Sequence, residues 1–222
     1  MATGDEHATP PLRSDAERNR ERVLAAARAV FARDGLGASM ASVAREAGVG
    51  IATLFRRFPA KEDLVAAVFA DRMDAYAETI ETALADADPW RGFTGFLEKV
   101  CAMQAADRGF ADVLTMSFPT AKPLEARRRQ AYEGFVQLID RAKASGRLRE
   151  DFVSKDLVLL LMATAGVINA TGQHAPDGWR RVLAFMIQSY EAPARAPLPD
   201  GPTDTALYRA MLSLGSARSP SL

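Results

Sequence analysis

An all-α fold is predicted by three features of the sequence. Alanine and arginine, both strong helix formers, dominate it, while glycine and proline gather at its ends and at a few breaks. Between those breaks apolar residues recur every three or four positions, and no stretch alternates as a half-buried strand would. No internal repeat is visible either, so one helical chain with a core of ordinary size is expected from 222 residues.

The elements follow in order. Met1 to Leu12, with Asp5, Glu6, Pro10 and Pro11, reads as a disordered tail. Ser14 followed by Glu17 has the spacing of a capping box, so a first helix is expected from Ser14. Val23, Leu24, Ala27, Val30 and Phe31 give it an apolar stripe, and Gly35 stops it. Ser39 caps a short second helix that points Val43 and Ala44 inward and ends at Gly48. A third runs from Ile51 to about Arg57, where Pro59 ends it by disfavouring helical geometry at the residue before it.

One long helix is expected from about Lys61 to Ala85, then others over 90–106, 110–116, 124–145, 154–170 and 177–191. The breaks between them fall at Pro89, Pro119, Pro123 and Gly146. A proline-rich stretch, "APARAPLPDGPTD", and a weak helical pattern over 205–214 close the chain. The corresponding organisation is a tail (1–12), an N-terminal head (13–60), a helical body (61–192) and a proline-rich tail (193–222).

Charge is distributed more tellingly than it is summed. The whole chain is neutral, yet 13–62 holds ten basic residues against six acidic ones, a net +4 balanced by −4 elsewhere. A basic end on an acidic body is the asymmetry expected of a chain that meets a polyanion at one end. The single cysteine, Cys101, excludes an internal disulfide, and with two histidines it makes a metal cluster a poor fit. Cys101 falls in an apolar helical pattern and reads as core. No paired-carboxylate or phosphate-cradle motif occurs, so neither an enzyme nor a cofactor or metal is expected. No secretory leader is visible. The longest apolar run, "LVLLLMATAGVI", falls short of the ~18 residues of a membrane span. A cytoplasmic protein without membrane contact is the expectation.

The stretch "GVGIATLFRRFPAKEDL" (48–64) carries the chemistry. Two arginines sit between two phenylalanines on a short helix that follows a glycine turn. Three short helices with such a turn between the second and third are the footprint of a helix-turn-helix. Val43, Ala44, Val49 and Leu54 would set the angle between helices two and three, with Gly48 in the left-handed turn. Ala52, Thr53, Arg56 and Arg57 then lie on the other side of helix three. Small residues at its start can enter a major groove, and the arginines can reach phosphates or guanine edges. The competing readings are a solvated arginine pair and, for Phe55 and Phe58, plain packing.

Residues 20–64, "RERVLAAARAVFARDGLGASMASVAREAGVGIATLFRRFPAKEDL", closely resemble the DNA-binding domain of the TetR family of transcriptional regulators. The resemblance implies an all-helical homodimer that reads operator DNA with its N-terminal domain and senses a ligand with its larger body. Carried over position by position, it implies that Ser39 caps helix two and contacts a phosphate. Gly50, Ile51, Ala52 and Thr53 stand at the start of the recognition helix, with Ala52 and Thr53 entering the groove. Phe55 stands where a tyrosine is usual, Arg57 where a histidine or tyrosine is common, and Lys61 where a phosphate-binding lysine sits. Gly50 also replaces the usual serine or threonine cap. Such a loss costs only a few tenths of a kcal/mol, and Arg56 and Arg57 offset the missing phosphate contacts.

The stretches "GRLREDFVSKDLVLLLMATAGVI" and "WRRVLAFMIQSYEAPARAPLP" resemble a C-terminal type of the same family. That implies dimerisation through helices 154–170 and 177–191. The middle helices would enclose a small molecule among Phe93, Phe96, Met103, Phe110, Leu114, Phe118, Tyr132, Phe135 and Met162, or those residues are ordinary core. Few charges interrupt these faces, which favours a neutral or apolar ligand. The leading function is a ligand-responsive repressor of a palindromic operator. A regulator whose body only dimerises is the alternative, and a small helical carrier or enzyme a third class.

Overall fold

The computed structural model describes residues 11–217, with the side chains of 15–214. The expected N-terminal tail therefore lies outside the described residues except for its last two positions. Among the described residues the secondary structure consists of eleven helices and one isolated bridge, Leu148 with Glu191.

The head consists of α1 (Pro11–Asp34), α2 (Met40–Ala47) and α3 (Ile51–Arg57). α1 is already helical at Pro11, the first described residue, so the start expected at Ser14 falls inside the helix. Gly35 ends α1 with φ 73°.

α4 (Lys61–Val68) and α5 (Ala70–Leu84) replace the single helix expected over 61–85. The break is at Phe69, whose backbone (φ −103°, ψ 10°) leaves the helical region. Its ring is buried 6.3 Å from both Phe31 of α1 and Phe110. The bend turns α4 onto the head and α5 onto the body, so the chain changes layers at a fully packed residue.

The body adds α6 (Pro89–Ala106), α7 (Arg108–Thr115), α8 (Lys122–Ala144), α9 (Lys155–Thr171) and α10 (Gly178–Tyr190). Asp88 caps α6 by accepting from the Trp90 and Arg91 amides, and Asp107 caps α7 through the Phe110 amide. An aromatic cluster fills the centre: Phe93 packs edge-on against Phe152 at 5.4 Å, and Phe96 lies 5.2 Å from Phe135. Buried polar groups there are paired. Thr164 donates to the Gln104 carbonyl oxygen at 2.9 Å, and Gln104 donates to the Leu161 carbonyl at 3.2 Å. Cys101 is buried beside them.

The chain after α10 is strapped to the body. Arg149 donates to the Ser189 and Ala196 carbonyls, and Asp151 accepts from the Leu198 amide. The last described element is α11 (Asp204–Ala217), longer than the 205–214 pattern suggests. Lys155 holds the start of α11 through the Pro202 carbonyl and Asp204. No described helix is long and apolar enough to cross a membrane.

Candidate nucleic-acid interface and ligand cavity

The turn between α2 and α3 is built by three local devices. Ser39 accepts the Ser42 amide at 3.1 Å and caps α2. Gly48 closes α2 in the left-handed region at φ 64°, where a Cβ would be strained. Gly50 then starts α3 without a side-chain bond, so the first amides of α3 keep no side-chain acceptor at that position.

α3 is held by one buried side chain, Leu54, in a small core with Val43 and Ala44. Everything else on α3 is turned outward to some degree. Ile51 and Phe55 are 42% and 45% exposed, one turn apart, and Ala52, Arg56 and Arg57 are exposed too, with Thr53 partly so. Phe58, by contrast, is buried and closes α3. Of the two phenylalanines flanking the arginines, one is thus a packing residue and the other is not.

Arg56 and Arg57 turn toward α1. With Arg20, Asn19 and Thr53 they line a groove of about 210 Å³ between α1 and α3. Glu17 lies 3.6 Å from Arg20 and 4.0 Å from Arg57, so the groove's positive charge is only partly balanced. Arg18 pairs with Asp15, and Arg22 with Asn19, along the exposed face of α1. Lys61 begins α4, partly buried, and burial holds its ammonium below the ordinary lysine value against the pull of Glu62 and Asp112. Asp63 accepts the Ala60 amide at 3.1 Å and fixes that helix start.

The head is joined to the body by α7, seven of whose eight residues are buried. Asp112 reaches out of α7 to accept the Leu36 amide at 2.8 Å, in the loop between α1 and α2. Gly109 lies so close to α1 that a Cβ there would stand 2.7 Å from the Phe69 ring and 3.2 Å from the Phe31 carbonyl oxygen.

A second recess opens in the body, a cavity of about 100 Å³ lined by Tyr76, Leu114, Arg128, Tyr132, Phe135, Ser154, Leu157, Val158 and Leu161. Only Leu114, Tyr132 and Phe135 of the nine residues expected around a ligand line it. Phe93, Phe96 and Phe110 are fully buried in the aromatic core, and Phe118 is buried beyond α7. Met103 packs against the core from its edge, and Met162 is partly exposed on α9. The residue that sequence reasoning missed is Arg128. It lies within the run "RRR", which reads as a solvated face, yet Leu124, Arg128, Ala131 and Phe135 follow the 4-3-4 spacing of the buried stripe of α8.

Comparison with known proteins places this architecture. Residues 23–68 match the family model of bacterial regulatory proteins of the tetR family. Residues 88–188 match that of the C-terminal domain of SbtR-like transcriptional regulators. No curated protein matches the chain. Among solved structures, the TetR transcription regulatory protein from Mycobacterium vanbaalenii is 32% identical, with 82% of this chain and 100% of that one covered at a TM-score of 0.46. A TetR regulator from Streptomyces coelicolor is 28% identical, covering 79% and 99% at 0.49. The fold is also that of PfmR, a TetR regulator from Thermus thermophilus, at 22% identity, 76% and 96% coverage and a TM-score of 0.51. A helix-turn-helix head on a helical body, matched over both parts, makes this chain a member of the TetR family of transcriptional regulators.

Proposed function

We propose that the protein is a repressor that binds a palindromic operator as a homodimer in the cytoplasm and leaves it when a small molecule enters the body. The observation that carries the reading is α3: a seven-residue helix anchored by Leu54 alone, with Ile51, Ala52, Phe55 and Arg56 turned to solvent. Ala52 and Thr53 enter the major groove, and Ile51 and Phe55 offer apolar contact to thymine methyls and sugars. Ser39, the open amides at Gly50, Arg56, Arg57 and Lys61 hold phosphates around it. Homodimerisation is supported by the apolar surfaces of α9 and α10: Leu159 is exposed on the same face of α9 as the small residues Ala163 and Gly166, and Phe185 is exposed on α10. Two such heads read half-sites one helical turn apart. The cavity between α5, α7, α8 and α9 holds the inducer, which shifts the population toward a state that does not fit DNA.

The test is titration of the purified protein against DNA from beside its own gene and against random DNA, at several salt concentrations. Tight, selective and salt-sensitive binding is expected. The double substitution Arg56→Ala, Arg57→Ala should weaken it and reduce the salt slope by about 0.9 for each phosphate contact removed. An unchanged slope would remove both arginines from the interface.

A further inference from the structure

Resting on that ligand-responsive reading, we infer that the body cavity is a site for an amphipathic carboxylate whose charge is anchored by Arg128. Apart from the hydroxyls of Tyr76, Tyr132 and Ser154 the rest of the cavity is apolar, with Leu114, Phe135, Leu157 and Leu161 on its walls. An arginine in such a wall is costly, because a charge removed from water needs a partner of opposite sign. Burial indeed pushes the Arg128 guanidinium below the ordinary arginine value.

Its partners within the protein are modest. Arg128 donates to the Met116 carbonyl and has Glu125 at 3.6 Å, and Glu125 is itself engaged by the Phe118 amide. Among the described residues both contacts use Nη1. The planar fork carries five donors, so Nε and Nη2 remain to take a carboxylate in a paired arrangement. One guanidinium already sharing Glu125 suits a single negative charge better than a dianion. Tyr76, pushed up to about 12 by burial, stays neutral in the same wall and can donate its hydroxyl.

Size and route fix the rest of the ligand. The inner cavity, at about 100 Å³, is smaller than the roughly 300–1,000 Å³ of drug-sized sites. It shares Tyr132, Ser154 and Val158 with an outer recess of about 440 Å³ under α11, lined also by Leu207, Tyr208 and Met211, with the Lys155–Asp204 ion pair at its edge. The Tyr132 hydroxyl and Ser154 hydroxyl meet at 3.0 Å where the two recesses join. A polar head inside and an apolar tail beneath α11 fill both. The anchor also touches the reading head at second hand. Met116 caps α7, the helix whose Asp112 holds the Leu36 amide, so a carboxylate held by Nε and Nη2 of Arg128 bears on the end of α7 through the Nη1 contact to Met116.

The experiment is calorimetric titration of the full-length protein with decanoate, decan-1-ol and decylammonium at neutral pH. Decanoate should bind at least about tenfold more tightly than the alcohol, and decylammonium the weakest, as a charged hydrogen bond predicts. Arg128→Gln should abolish the preference for the acid, Arg128→Lys should keep part of it, and Arg129→Gln, at the exposed neighbour in the same run, should leave it intact. Circular dichroism and melting establish that each variant is folded; if Arg128→Gln is not, a reduced preference in Arg128→Lys carries the test. Equal affinity for acid and alcohol, a preference that survives Arg128→Gln, or no binding by any of the three overturns the anchor. Release of fluorescent operator DNA is followed in parallel. Decanoate that binds through Arg128 without releasing DNA would refute induction but keep the anchor. Release by the alcohol as readily as by the acid would do the reverse.

Discussion

Two helices of nearly equal length do opposite things in this molecule. α3 has seven residues and buries one; α7 has eight and buries seven. The first is a blade held by its spine, free on nearly every side to meet a partner. The second is a wedge with no free side, touching the head at Leu36 and Gly35 and the body at the aromatic core. Burial alone therefore separates the part that reads from the part that connects. A short helix can be exposed in this way only because its neighbours supply the order that seven residues cannot generate themselves.

Breaking the blade at its spine should give the largest effect. Leu54→Ala removes the one buried anchor of α3 and should cost about 2–5 kcal/mol, seen as a lower unfolding midpoint in denaturant together with loss of operator binding. A cost no larger than that of a surface substitution would mean α3 does not hang on Leu54. The wedge is tested by Gly109→Ala. A methyl group there meets the Phe69 ring and the Phe31 backbone, so about 1–3 kcal/mol of destabilisation is expected from overpacking, read by thermal melting. A neutral result would show that α7 has room to move against α1. The smallest effect sharpens the contrast from the other side. Phe55→Tyr adds a hydroxyl to a ring already 45% exposed, so stability should change by no more than about 0.5 kcal/mol. Operator affinity, measured by anisotropy, should rise, since the new hydroxyl can donate to a phosphate. Unchanged affinity would place Phe55 away from the backbone of the DNA.

The fold is most legible in the sequence where local rules decide the outcome. Ser39, Gly48, Gly50 and Pro59 punctuate the head through capping, positive φ and ring geometry, each a property of one or two residues, and the observed ends of α2 and α3 follow them. It is least legible where distant residues decide. The bend at Phe69 has no glycine or proline to announce it, because it is imposed by Phe31 and Phe110 from other parts of the chain. The cavity is expected among aromatics; Tyr76, Tyr132 and Phe135 line it while Phe93 and Phe96 are buried in the core, and the charged group in the wall is an arginine inside a charged run. Periodicity marks which side of a helix faces inward. It does not say whether that side meets another side chain or a void.

The close fit of Gly109 and Asp112 to the end of α1 has a bearing on how such proteins can be recombined. At Gly35 a Cβ would stand 2.8 Å from the Asp112 carboxylate, so both sides of this seam are shaped to each other at the scale of single atoms. A graft that gave this body the reading head of another regulator, cut at the loop before α4, would carry the foreign end of α1 into a socket made for glycine. Exchange of specificity by module should therefore succeed only when α7 travels with the head, or when the recipient already has a small residue and an acid at these two places. The unit of inheritance for operator choice is larger than the helices that touch DNA.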